Sequence, residues 1–140
     1  MKRQERFKNT AYFTYHNANP KNRFAGDCVI RSISTFLNKD YYEVYEDLYK
    51  TSLKTGYMVN EKQNYEKYLK ALGIERQPQP RKWDNTKYTG KEFIEEIAKP
   101  NKRYLLKIGG HHVTAIKDGT VYDTWDCTNK SVGNYWSIEE

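Results

Sequence analysis

Residues Arg103–Asp126 read RYLLKIGGHHVTAIKDGTVYDTWD. Their apolar side chains recur at a period of two or in a short continuous run, which is strand spacing. Arg103–Ile108 reads as one strand. His111–Lys117 and Thr120–Asp126 read as a hairpin closed by Asp118-Gly119, a pair that supplies the positive φ angles a two-residue turn needs. With only those two residues in the loop, His112 stands opposite Trp125 and Thr114 opposite Asp123. Alternation then puts His112, Thr114, Val121, Asp123 and Trp125 on one face, and His111, Val113, Ala115, Tyr122, Thr124 and Asp126 on the other. Asp123 becomes the diagonal neighbour of His112. A last short strand is expected around Tyr135–Ile138.

Upstream the period is helical. Val29, Ile30, Ile33, Phe36 and Leu37 mark a helix with Asp27 at its N-cap and Gly26 allowing a sharp turn into it. A second helix starts at Asp40, with Glu43 completing a capping box, and carries Tyr41, Val44, Tyr45, Leu48 and Tyr49. A third runs from Asn60, with Gln63 as its box residue, through Tyr65, Tyr68, Leu69 and Leu72 to a stop at Gly73. Gln77-Pro78-Gln79-Pro80 forces extended backbone. Thr89 and Glu92 box a short helix that ends before Pro100. The tyrosines at helical spacing read as core and half-buried helix faces rather than a platform for stacking bases. Helices first and antiparallel strands last predict an α+β domain, not α/β.

At 140 residues one domain is expected, with a single modest core. No apolar run approaches the roughly 18 residues of a membrane span, and the basic start is not followed by the apolar stretch of a signal peptide. Only two cysteines, Cys28 and Cys127, are present. They exclude a disulfide scaffold and a four-cysteine zinc site, and they suit a reducing cytosol. The net charge of +6 sits almost wholly in residues 1–26, which hold six basic side chains and one acidic. This segment reads as a basic N-terminal arm, followed by a single domain over 27–140. No nucleic-acid motif accompanies the charge, so a solvated arm that keeps the chain soluble is favoured over one that touches nucleic acid or an acidic partner.

Cys28 falls in the first turn of its helix, where unsatisfied amide N–H groups and the dipole favour a thiolate. A buried cysteine acting as a small hydrophobe is the plainer alternative. A carboxylate beside His112 would fix its tautomer and stabilise the imidazolium. Metal binding by a cysteine with His111 or His112 is disfavoured, since adjacent strand residues point apart. Gly109-Gly110 lacks the following Lys and helix of a phosphate loop and reads as the lead into the hairpin. Cys127 is a structural thiol or a redox partner of Cys28.

The segments GDCVIRSISTFL, RYLLKI and GGHHVTAIKDGTVYDTWDC together resemble the papain-like cysteine peptidase superfamily. The resemblance spans residues 22–136 and is specific in the Cys28 segment and the hairpin. It is nearest to compact phage and bacterial members, including peptidase domains of bacteriocin-processing transporters, and to short phage proteins of unassigned activity. It implies a papain-like fold, with a Cys-bearing helix packed on a C-terminal antiparallel sheet. It also implies Cys28 as nucleophile, His112 as general base and Asp123 as the residue orienting it. Asn22 stands where the superfamily often has an oxyanion-binding Gln, on a shorter stem. His111 stays open as an alternative base, although parity with Asp123 favours His112.

The expected function is a thiol-dependent peptidase or acyl-transfer hydrolase acting on a peptide, isopeptide or thioester carbonyl, with no cofactor and a peptide or protein substrate. The alternatives are a catalytically weak papain-like protein that binds or inhibits a host factor, and a nucleic-acid accessory protein using the arm. The expected location is cytoplasmic, in the host if the chain is phage-encoded.

Overall fold

The structure, a computed structural model, describes residues 2–140. The elements in chain order are α1 (Arg3–Arg6), β1 (Phe13–Tyr15), α2 (Cys28–Leu37), α3 (Tyr41–Thr55), α4 (Lys62–Ala71), α5 (Gly90–Glu96), β2 (Lys102–Ile108), β3 (His112–Lys117), β4 (Thr120–Asp123) and β5 (Val132–Glu139). The five strands form one sheet in the order β1-β4-β3-β2-β5. This is an α+β arrangement. No helix among the described residues is long and apolar enough to cross a membrane.

The hairpin has the expected register: Ala115 pairs with Tyr122, Ile116 with Val121 and Lys117 with Thr120. Asp118 and Gly119 carry φ of 51° and 76°, both positive as a type I′ turn demands. Strand β4 stops at Asp123, short of the expected Asp126. β5 is longer than expected and pairs antiparallel with β2 from Lys102–Glu139 to Ile108–Val132.

Alternation along β2 divides the core into two layers. Leu105 joins Val113, Ala115 and Trp136 on the face covered by α2, α3 and α4, where Ile30, Ile33, Phe36, Val44, Leu48, Tyr65 and Leu69 are buried. Tyr104, Leu106 and Ile108 face the other way, onto Phe93 of α5, Phe13, Ile116, Val121 and Val132. Covering both faces explains why β2 and β3 read as nearly continuous apolar runs.

Several expectations are corrected. The sheet is mixed, not all antiparallel, because β1 runs parallel to β4, with Phe13 beside Val121 and Tyr15 beside Asp123. Residues 1–26 are therefore not simply an arm: Phe13 is fully buried in the second layer. Helix α4 begins at Lys62 with Glu61, not Asn60, at its N-cap. Glu61 instead closes the preceding turn, its Oε2 accepting from Met58 N–H at 2.9 Å. Tyr45 and Tyr49 are about half exposed, whereas Tyr41, Tyr65 and Tyr68 are buried.

The Pro-rich stretch lies along the free edge of β5. Gln77 N–H donates to Tyr135 O at 2.7 Å, and Gln79 Nε2 donates to Val132 O at 2.9 Å.

Because Phe13 fills the core from a strand with only three residues, Phe13→Ala is expected to cost about 3–5 kcal/mol. Urea unfolding of the variant against wild type measures it. A loss below about 1 kcal/mol would show β1 to be dispensable.

Candidate active site

Helix α2 opens at Cys28 behind Asp27, as its sequence suggests, but Asp27 does not cap it with its side chain. The carboxylate turns away. Its Oδ1 accepts from Arg31 Nε at 2.8 Å, and its Oδ2 accepts from Tyr41 Oη at 2.8 Å and Asn19 Nδ2 at 3.1 Å. The first-turn amides of α2, Cys28 among them, thus have no side-chain cap.

Arg31 carries the connection onward. It lies one turn after Asp27 on the same helix face, and its Nη1 donates to Asp123 Oδ1 at 3.1 Å. Asp123 Oδ2 is 2.5 Å from His112 Nε2 and accepts from Thr114 Oγ1 at 2.7 Å. His112 lies near enough to the Cys28 side chain to lower its pKa, as does the backbone N–H of Val113. Trp125 packs on the His112 ring at 4.9 Å between centroids. The groups run Asp27, Arg31, Asp123, His112, Cys28, alternating in charge when the thiol is ionised.

Burial alone would raise the Cys28 pKa. The neighbouring His112 ring, the Val113 N–H and the charge of Arg31 outweigh it, so the thiol sits below its ordinary value. Burial would likewise lower the His112 pKa, but the bond with Asp123, the neighbouring Cys127 and Cys28 thiols and the charge of Asp123 push it up to about 11. Asp123, only 2% exposed, resists the upward push of burial through His112, Thr114 and Arg31 and stays below the usual carboxylate range. Both shifts move the pair toward thiolate and imidazolium.

Among the residues expected from the sequence, Cys28, His112 and Asp123 are brought together. His111 is exposed. Asn22 is also exposed, in a left-handed turn with φ of 53°, and its Oδ1 accepts from Asn17 at 3.3 Å. The amide nearest the start of α2 by hydrogen bonding is Asn19, through Asp27.

Arg31 is not singled out from the sequence, and Asp27 is read there only as an N-cap and Thr114 only as a residue on the His112 face. An acid and a base four apart on a helix is the signal that could have found the first two. Tyr65 was taken only as a core residue. Its hydroxyl is buried without a hydrogen-bond partner, in the cluster against which Cys28 packs.

Cys127 is wholly buried, with Sγ 3.8 Å from Asp123 Oδ2. Burial raises its pKa despite a hydrogen bond with His112. Donor atoms of His112, Asp123 and Cys127 lie within 4.8 Å of one another. A cation there would have to displace the bonds that already occupy both Asp123 oxygens. Comparison with protein-family models, curated proteins and solved structures finds no match to this chain.

The shifts set a sign for the pH response. A depressed Cys28 pKa keeps the thiolate as pH falls, until the folded pKa is reached. A raised His112 pKa keeps the imidazolium until pH climbs through about 11. At about pH 6, where an ordinary thiol of pKa about 8.5 is almost wholly protonated, Cys28 is expected to alkylate much faster than Cys127. His112→Ala should raise the Cys28 pKa, and His111→Ala should leave it in place. Arg31→Met should raise it too and cost about 3–5 kcal/mol, because two buried carboxylates lose their shared cation. Alkylation rate against pH, read by mass spectrometry for each cysteine, checks all three. A pKa that follows His111 instead would discard the His112 assignment.

Proposed function

We propose that this chain is a thiol-dependent hydrolase or acyl-transfer enzyme of papain-like arrangement, acting on a peptide, isopeptide or thioester carbonyl. One observation carries the reading: a thiol at the uncapped start of α2 stands beside an imidazole that a buried carboxylate holds from behind. Burying this many charges is a poor way to stabilise a fold, since well-packed apolar residues serve as well or better. The arrangement is what a nucleophile ionised at neutral pH requires.

In this reading the Cys28 thiolate adds to the carbonyl carbon. The oxyanion that forms is met by the N–H of Cys28, one of the amides at the start of α2 that have no partner within the helix. The C–N or C–S bond then breaks, and the leaving group takes a proton from the His112 imidazolium. Water attacks the thioester on Cys28 while His112 accepts a proton, releasing the acid and restoring the pair. Asp123 holds His112 by Nε2, which directs the other ring nitrogen to the thiol. Asn22 has no part in this scheme.

The test is covalent trapping. An activated acyl ester is expected to leave an acyl group on Cys28, found by mass spectrometry of a rapid acid quench. Release should slow by about a thousandfold or more in His112→Ala. Cys28→Ala should form no adduct. Ester turnover that survives Cys28→Ala, or an adduct confined to Cys127, would overturn the proposal.

A further inference from the structure

Four basic side chains of the N-terminal segment, Arg3, Arg6, Lys21 and Arg23, line clefts beside residues that touch His112 or Asp27. Helix α1 lies on the imidazole side. Arg3 Nη1 donates to Thr124 Oγ1 at 3.3 Å, and its guanidinium stands 4.8 Å over the Phe24 ring. Arg3 and Arg6 line a cleft of about 400 Å³ with Phe7 and Trp125, the residue packed on His112. A second cleft, of about 410 Å³, opens on the Asp27 side, where Lys21 and Arg23 flank Ala25, Tyr42 and Tyr45. Its floor includes Tyr41, whose hydroxyl bonds Asp27, the residue just before Cys28. Lys107 pairs with Val113 on the neighbouring strand and lies near enough to Cys28 to feel its charge.

Arg31 spends its charge on Asp27 and Asp123. By contrast, Arg3, Arg6, Lys21, Arg23 and Lys107 form no ion pair among the described residues. No carboxylate lines either cleft. Uncompensated like charges flanking one site raise the local concentration of anions and reject cations. The tyrosine-walled cleft offers apolar surface between two of those charges. Nucleic acid would satisfy the charge, but its backbone offers a thiolate no acyl carbon.

Resting on the hydrolase reading, we propose that the substrate is an acidic peptide segment. Its carboxylates meet Arg3 and Arg6 on one side of Cys28 and Lys21 and Arg23 on the other. An apolar side chain seats between Tyr42 and Tyr45.

The probe is a labelled peptide with leucine between runs of glutamate, set against the same peptide with runs of lysine. Binding to the full chain carrying Cys28→Ala is read by fluorescence anisotropy, and cleavage by wild type is read separately. The glutamate peptide should bind at least about tenfold tighter than the lysine peptide, and its affinity should fall as salt rises. Arg23→Glu and Arg3→Glu should each weaken it about tenfold. Arg23→Gln and Arg3→Gln should weaken it less, and they carry the test if a charge reversal unfolds the chain. Equal affinity for the two peptides, or no response to any of these variants, would overturn the proposal. So would single-stranded DNA displacing the peptide at lower concentration than unlabelled peptide does. Tight binding of the glutamate peptide without cleavage by wild type would uphold the acidic specificity and count against the hydrolase reading.

Discussion

The run of alternating charge Asp27, Arg31, Asp123, His112, Cys28, buried at its two carboxylates and partly buried elsewhere, fixes how helix and sheet must meet. Arg31 can bridge two carboxylates only if the start of α2 lies against the end of β4. Asp123 can hold His112 only if β3 and β4 keep their register. A slip of one residue would turn Asp123 to the other face and leave Arg31 and His112 buried without it. Each charge offsets the desolvation of its neighbour, so none can be removed singly without exposing another to a low-dielectric interior.

The two apolar layers supply the stability that this run does not. The layer under α2 holds the helix in place through Val29, Ile30, Ile33 and Phe36, which repeat on one face. The layer behind the sheet sets the depth of Asp123 and Cys127 through Phe13, Ile108 and Val121. The polar connections therefore choose among packings that the apolar surface alone would tolerate.

Local chemistry made much of this legible beforehand. Asp118-Gly119 dictated the turn and with it the register that unites His112 and Asp123. Thr89 and Glu92 do form their reciprocal cap. What escaped the sequence is non-local. Strand β1 is three residues long and pairs in parallel with a strand more than a hundred residues later, so no nearby turn announces it. Asp27 was legible as the residue before the helix, but not as a carboxylate drawn away by Tyr41 and Asn19, because those partners arrive from other elements. Asn22 matched a family offset in sequence, while hydrogen bonding in the folded chain tied Asn19 to that end of α2 instead. Tyr45 and Tyr49 share a helix with Tyr41, but the neighbouring elements cover only one side of it.

The segment laid along β5 has a consequence for how copies of this chain meet one another. An eight-residue strand at the margin of a sheet is a template on which another chain could extend the ladder. Here the next chain would encounter Gln77-Pro78-Gln79-Pro80, already bonded to Tyr135 and Val132. Pro78 and Pro80 have no N–H to offer, so the ladder ends with them. Pairing that would otherwise propagate from molecule to molecule is terminated within the molecule along the Val132 to Tyr135 half of that margin.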